Sequence, residues 1–379
     1  MPNIFLPICI VFVACTLVWN CLRHRGFPFR GERIVLRDFV ASARSETNCT
    51  KLNFQKEFFR SSSVCYSLQR REGTTRYPND NNRLQHIDVC ICTYKRQELL
   101  QRLLEALQTQ ETEARFTYSI LVVDNDSLRS AESVVAMFSA AGISIKYCVQ
   151  EQQNIARTRN MAVTHAEGNF IAFIDDDEVP IPTWLLTLFK ACESYRVDGV
   201  LGPVKPYFDQ APPAWVINAK LYERPTYPTG LVIDSKKGRT GNVLLRRAIF
   251  LSDEVPFRPE FRVGEDQDFF GRMIARGHVF IWCNEAIAYE LVPPSRWNYK
   301  FLVKRALLRG ASSFLHASSR RRRLVNSLFA VPLYIVLLPV ALLFGYHRFI
   351  VLLISLFDHL GKILAALGLD PIRTQYVTE

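Results

Sequence analysis

Between residues 170 and 180 the chain reads Phe-Ile-Ala-Phe-Ile-Asp175-Asp176-Asp177-Glu178-Val-Pro. Five apolar, largely β-forming residues run straight into four consecutive acids, and Pro180 and Pro182 are expected to stop the strand there. A buried strand ending in a carboxylate cluster is costly, because adjacent like charges repel and desolvated carboxylates need counter-charge. A hard divalent cation, Mg²⁺ or Mn²⁺, would remove that cost. The plainer alternative is a solvated acidic loop. The position at the carboxyl edge of an α/β sheet, where ligands collect, favours the cation.

The α/β assignment follows from the pattern around this strand. Residues 87–92 read as a buried strand, and 97–110 as a helix with Leu99, Leu100, Leu103, Leu104 and Leu107 on one stripe. Strands are expected at 118–123 and 143–149, and helices from about 131 to Gly142 and over 155–166. Short links between alternating strands and helices predict a mostly parallel sheet covered on both faces. Further on, a helix is expected at 184–195, strands at 199–204, 241–246 and 279–289, and a helix at 265–276. A Pro- and aromatic-rich stretch, 205–240, separates them, and loops that long are usually functional or disordered.

The ends differ from this centre. Residues 4–19 are apolar and are followed by Arg23, His24 and Arg25, which suits a short signal anchor within 1–22 better than a cleaved signal peptide. Residues 23–85 form a basic leader with no sustained periodicity. The net charge of +11 is concentrated there and in 300–323, a run without a single acid that overlaps a basic amphipathic helix at 297–310. That run meets an apolar stretch at 324–345 long enough to cross a bilayer. Arg320, Arg321, Arg322 and Arg323 at its start are expected to meet anionic lipid on the cytoplasmic side, and no nucleic acid partner is indicated. A second apolar run, 349–368, carries Asp358, His359 and Lys362. It is either a returning span or, as those residues favour, a helix lying in the interface, and 369–379 is a tail. Of ten cysteines, five precede Ser67; Cys90 and Cys92 lie on one face of an expected strand, a separation of two that does not suit a metal knuckle, and reduced thiols are expected.

Residues 86–310 resemble the family 2 inverting glycosyltransferases of the GT-A, Rossmann-like fold. The resemblance is carried by motifs in order: Asp88-Val-Cys-Ile-Cys-Thr93-Tyr94-Lys95-Arg96, Val122-Val123-Asp124-Asn125-Asp126-Ser127, Asn154-Ile-Ala-Arg157-Thr-Arg159-Asn160, Asp175-Asp176-Asp177, Gly241-Asn242 and Gly264-Glu265-Asp266-Gln267-Asp268. Within that family the chain looks most like membrane-attached bacterial enzymes that extend lipid-linked sugars for exopolysaccharides. The resemblance implies a nucleotide-diphosphate sugar donor, a UDP-sugar, and a lipid-linked or glycan acceptor at the cytoplasmic face of the inner membrane. Thr93, Tyr94, Arg96, Asp124, Arg157, Arg159, Asn160, Asp175 and Asp176 would bind the donor. Asp175 and Asp177 would hold a Mn²⁺ or Mg²⁺ ion that stabilises the leaving diphosphate. Asp266 would be the general base, with Glu265 beside it, and Asn242, Asp268 and Trp297 would serve the acceptor side.

Simpler readings stand beside several of these roles. Asp124-Asn125-Asp126-Ser127 is also a good turn, and a solvated helix face accounts for either Arg157 or Arg159 singly. Helix-terminal capping alone could explain one of Glu265, Asp266 and Asp268, but not all three behind a glycine. Two departures from the family matter. Tyr289-Glu290-Leu291 has no histidine to complete a metal shell, and Pro294-Ser295-Arg296-Trp297 keeps only part of the Gln-x-x-Arg-Trp motif of processive polysaccharide synthases. A single-sugar transferase is therefore favoured over a synthase. A nucleotidyltransferase would need glycine in the loop at 93–97, and a non-catalytic membrane scaffold would not need the acids at Asp177 and Asp266.

Overall fold

The computed structural model describes residues 84–251, 253–261, 263–315 and 319–369. The proposed anchor, nearly all of the basic leader and all but the first residue of the tail lie outside the described residues. A seven-stranded sheet carries the fold. Its strands are β1 (Gln85–Thr93), β2 (Phe116–Asp124), β3 (Ile145–Val149), β4 (Phe170–Asp175), β6 (Gly199–Leu201), β8 (Val243–Arg246) and β9 (Phe280–Trp282), in the order β3-β2-β1-β4-β8-β6-β9. All run parallel except β8, which pairs antiparallel with both β4 and β6.

The period of two in β1 divides the core between the sheet's faces. Ile87, Val89 and Ile91 pack with Leu100, Leu103, Leu104 and Leu107 of α1 (Gln97–Leu107) and with Trp184 and Leu188 of α4 (Trp184–Tyr195). Cys90 on the opposite face joins Leu121, Val123, Phe257, Phe269, Phe270 and Phe280. Each of these leucines is fully buried, and burying one stabilises by about 1.5–3 kcal/mol. Helices α2 (Glu132–Ala140) and α3 (Ile155–His165) complete the crossovers. The Asn154 side chain caps α3 by accepting from the Arg157 amide at 3.1 Å.

A second sheet was not legible as such. Its strands β5 (Glu178–Pro180), β10 (Ala288–Leu291) and β7 (Val204–Tyr207) lie in that order, with β10 antiparallel to β5 and parallel to β7. The prolines therefore do not end strand structure after β4; the chain turns at Asp176-Asp177 and resumes in the second sheet. The segments read as single strands at 199–204 and 279–289 likewise each divide between the two sheets. At Gly202 a Cβ would come within 2.2 Å of the Ala286 carbonyl, so the two departing segments pass too closely for any side chain there. The Asn242 amide fastens this crossing, donating to Pro203 O and Ala286 O at 2.8 Å each while accepting from Trp184 Nε1 at 2.7 Å. The stretch after β7 contains one short helix, α5 (Ala214–Asn218).

After α6 (Glu265–Ala275) and β10, a 3₁₀ turn (Pro294–Trp297) leads into α7 (Tyr299–Leu315), α8 (Arg320–Leu343) and α9 (Tyr346–Ala366). Helices α8 and α9 are both long and apolar enough to cross a membrane. Two polar residues of α9 have partners on its neighbours: Asp358 accepts from Arg309 Nε of α7 at 2.8 Å, as well as from Lys362 Nζ one turn on at 2.5 Å, and His359 Nδ1 lies 2.9 Å from Ser327 Oγ of α8. Helices α7 and α9 cross backbone to backbone. A Cβ on Gly310 would stand 2.0 Å from the Asp358 carbonyl oxygen, and one on Gly361 2.3 Å from that of Leu307. We expect Gly361→Val to force this crossing apart at a cost of about 1–3 kcal/mol, measured by thermal unfolding of the detergent-solubilised chain; unchanged stability would show that the crossing does not hold α9.

Candidate active site

The carboxyl ends of β1 and β4, the turn between β4 and β5, and the start of α6 meet at one edge of the sheet. Four arginines come in among the acids there. Arg96 donates to Asp176 Oδ1 at 3.0 Å and Asp177 Oδ2 at 3.4 Å, and Thr93 Oγ1 donates to Asp176 Oδ2 at 2.9 Å. Arg296 bridges Asp177 Oδ2 at 2.9 Å and Glu290 Oε1 at 3.1 Å, and Arg224 pairs with the other oxygen of Glu290. Arg159 pairs with Glu265 at the start of α6 and lies 3.6 Å from Asp175, joining the end of β4 to the helix that carries Asp266.

Burial dominates the proton affinities of these acids. It pushes the Asp176 carboxyl up to about 6, against the pull of Arg96, and raises Asp175, Glu178 and Glu290 above the usual carboxylate range. Burial, reinforced by Glu265, also brings Asp266 up to about 6. Asp266 makes no ion pair among the described residues and accepts only from the Gln267 amide, at 2.7 Å. Asp175 is the most open of the paired acids at the β4 turn, its side chain 42% exposed where those of Asp176 and Asp177 are 6% and 10%. A hard cation suits this oxygen-only donor set. Glu178 Oε1, buried and without a hydrogen bond beside Asp175, is an orphaned acceptor consistent with such an ion. Among the described residues no three ligand-type side chains already stand in a metal-holding arrangement.

Thr93, Arg96, Asp175, Asp176, Asp177, Glu265 and Asp266 thus come together as the sequence led us to expect. Tyr94 follows Thr93 at the same edge, its ring 5.2 Å from Lys95 Nζ, and Arg157 is exposed on the first turn of α3. Other expected ligands are committed elsewhere. Asp124 is fully buried and accepts from the amides of Asp126 and Ala131 and from the Tyr147 hydroxyl at 2.8–2.9 Å, so its carboxylate fixes the turn after β2. Both ends of the Asn160 amide bind the Phe257 backbone, at 2.6 and 2.9 Å. Arg159 is buried in ion pairs rather than presented to a diphosphate. Asp268 pairs with Arg272 at 2.8 Å, and Asn242 is consumed at the crossing of the two sheets. Trp297 packs with Phe208 near Val216 and Tyr222. Glu178, Arg224 and Glu290 were not anticipated as site residues. Glu178 lies inside the acid run and Glu290 at the position noted for its missing histidine, but nothing local marks Arg224 in its long loop.

The profile of the family described as Glycosyl transferase family 2 matches residues 88–248. Succinoglycan biosynthesis protein ExoM of Rhizobium meliloti is 32% identical over 232 residues, spanning 60% of this chain and 74% of that protein. This chain belongs to glycosyltransferase family 2. Glycosyltransferase AglE of Haloferax volcanii is 27% identical over 56% of the chain and 68% of its own length. Mannosyltransferase PcManGT of Pyrobaculum calidifontis, solved with GDP-Man and Mn²⁺, superposes over 78% of this chain and 91% of its own with a TM-score of 0.54 and 14% identity. That likeness is one of fold, and the architecture of this family 2 glycosyltransferase is GT-A, with two apolar helices following it. The chain is an enzyme of the hexosyltransferase type.

Within this enzyme Arg159 is the tie between β4 and α6. Replacing it with Met leaves Glu265 buried and uncompensated, which is expected to destabilise by about 3–5 kcal/mol. Thermal and denaturant unfolding of the Arg159→Met variant measure this; stability within 1 kcal/mol, roughly the scale of an exposed pair, would show that the ion pair is not the tie.

Proposed function

We propose that this chain is a membrane-associated inverting glycosyltransferase. It moves one sugar from a nucleotide-diphosphate sugar, a UDP-sugar, to a lipid-linked or polysaccharide acceptor. The observation that carries the reading is Asp266, an acid without an ion pair at the start of α6, tied through Glu265 and Arg159 to Asp175 at the end of β4. The relation to a succinoglycan biosynthesis protein supports an acceptor in exopolysaccharide assembly. The basic start of α8 supports attachment with the catalytic domain, residues 86–310, on the cytoplasmic side.

Thr93, Tyr94, Arg96 and Asp175 bind and orient the donor. A bound Mg²⁺ or Mn²⁺ would act as a Lewis acid on the leaving diphosphate. Asp175 and Asp177 would hold it, which requires Asp177 to give up its pairing with Arg96 or Arg296. The acceptor hydroxyl oxygen forms the new bond to C1 while the bond from C1 to the diphosphate oxygen breaks, its electron pair leaving with the nucleoside diphosphate. Asp266 takes the hydroxyl proton. A single displacement of this kind inverts the anomeric carbon.

A base must be deprotonated to act, so with Asp266 near 6 the rate is expected to rise with pH through about 6 and level off above it. Asp266→Asn is expected to lower kcat by about 10²–10⁴ and to flatten that profile, with donor binding nearly unchanged. Nucleotide release from a panel of sugar nucleotides, with acceptor lipids extracted from an exopolysaccharide-producing bacterium, measures both. A variant with full kcat, or a product that keeps the donor's anomeric configuration, rejects the mechanism. For the cation, Asp177→Asn is expected to weaken Mn²⁺ binding by on the order of 10², read from the Mn²⁺ paramagnetic resonance signal during titration with UDP present. Unchanged Mn²⁺ binding would remove Asp177 from the ion's shell.

A further inference from the structure

Helices α8 and α9 are each long enough to cross a bilayer, yet both stay at the side of the catalytic domain. Helix α7 is fixed to that domain at both ends. The Arg296 guanidinium, three residues before it, is bonded to Asp177, and Ser312 Oγ near its far end donates to Val263 O at 2.7 Å. Helix α9 starts where α7 starts. Trp297 and Trp215 pack on one apolar cluster, and the Tyr346 ring at the first residue of α9 meets that of Trp215 edge-on, with centroids 5.7 Å apart. The two helices touch again at Gly310 and Asp358, and at Leu307 and Gly361, so α9 lies alongside α7. Helix α8 returns over the same distance: Arg323 in its first turn donates to Ser313 O of α7 at 3.2 Å, and Ser327 meets His359 of α9. Three residues after its last, Leu343, the chain is back at Tyr346 and Trp215. A 24-residue helix is about 36 Å long. A spanning α8 would carry Tyr346 to the far face of the bilayer, and its contact with Trp215 of the catalytic domain forbids that.

The outward side of α8 is apolar. Phe329, Leu333, Val336, Val340 and Leu343 follow one another at three- and four-residue steps and are all exposed, whereas Ser327, Val331, Leu338 and Ala341 on the opposite side are buried. A continuous apolar stripe of this kind marks an interaction surface. The charge around it selects the partner. No acid stands between Glu290 and Asp358, and Asp358 is paired with Arg309 and Lys362. Exposed arginines flank the stripe at both ends, Arg320, Arg321 and Arg322 before it and Arg348 after it. An apolar stripe with basic ends fits an anionic lipid surface, which takes up the stripe among its acyl chains and the arginines at its headgroups.

We propose that α8 lies in the plane of an anionic membrane rather than across it, with α9 as the layer that joins it to α7. This deepens the membrane association proposed above and rests on it. Thiols introduced one at a time into the full-length chain test it: Arg320→Cys before the stripe, Val336→Cys within it and Arg348→Cys after it. Spheroplasts and inverted inner-membrane vesicles of a producing bacterium are treated with a membrane-impermeant maleimide, and peptide mass spectrometry separates the introduced thiol from native cysteines. Arg320→Cys and Arg348→Cys are both expected to react in inverted vesicles and to lose that reactivity in spheroplasts. Val336→Cys is expected to react in neither, yet to react with lipid-soluble N-phenylmaleimide. Both flanking thiols reacting only in spheroplasts would keep α8 in the plane and move the catalytic domain to the other face. Reaction of Arg348→Cys in spheroplasts, with Arg320→Cys reacting only in vesicles, puts α8 across the bilayer and overturns the proposal. So does an Arg348→Cys thiol that reacts from neither side, which sinks the turn into the bilayer. A Val336→Cys thiol as reactive as Arg320→Cys leaves the stripe in water and overturns it as well. In these three cases the chain is still membrane-bound, and the association stands. Chain found in the soluble fraction instead removes the association, and the proposal with it.

Discussion

Carboxylates crowded at the end of a buried strand set the terms for the rest of this structure. Asp175, Asp176, Asp177, Glu178, Glu265 and Glu290 lie at or next to the junction of the two sheets, and five of the six are buried. Without counter-charge such a cluster would hold its protons or open to water. Arg96, Arg159, Arg224 and Arg296 supply that charge from four separate parts of the chain. The arginines thereby draw the loop after β1, helix α3, the long loop before β8 and the turn before α7 onto one edge of the sheet. A buried ion pair adds little net stability, yet removing one partner is severe. The network consequently specifies how these segments dock more than how tightly the domain holds together.

The same arrangement ties the apolar C-terminal helices to the acid cluster. Arg296 is bonded to Asp177, and its backbone carbonyl accepts from the Tyr222 hydroxyl at 2.7 Å, which places the turn before α7 firmly against the catalytic domain. Through the glycine crossing of α7 and α9, the apolar helices are positioned relative to the acids by backbone contacts, with little room for sliding. An acceptor anchored in lipid needs such a fixed reach between the bilayer and the reacting carbon.

Several residues that look like ligands in the sequence prove to be joints. Asp124, Asn160 and Asn242 are all short and polar, Asp124 at the end of β2, Asn242 just before β8 and Asn160 within α3 facing the Phe257 loop. Their hydrogen bonds go to backbone groups that a sharp change of direction leaves unpaired. Asn242 also adopts a positive φ of 54°, which asparagine tolerates better than most residues. A motif residue next to a site can therefore serve it by shaping the loop instead of touching the ligand.

The sequence by itself determined the elements and the acid cluster. Period-two and 3.6-residue patterns and the strand-to-acid transition at Asp175 are local, and they located β1–β4, α1–α4, α6 and the apolar helices to within a few residues. The meeting of Asp266 with Asp175 was legible only through resemblance, since nothing between residues 175 and 266 fixes their separation. Tertiary structure alone decided the second sheet, because strand breaks at Gly202 and near Ala286 depend on how closely two distant segments approach each other. It alone decided which charges pair, since Arg224 and Glu290 are 66 residues apart and meet only once the long loop folds back. Local patterns record what each segment can bury; they do not record which partner will be waiting when it does.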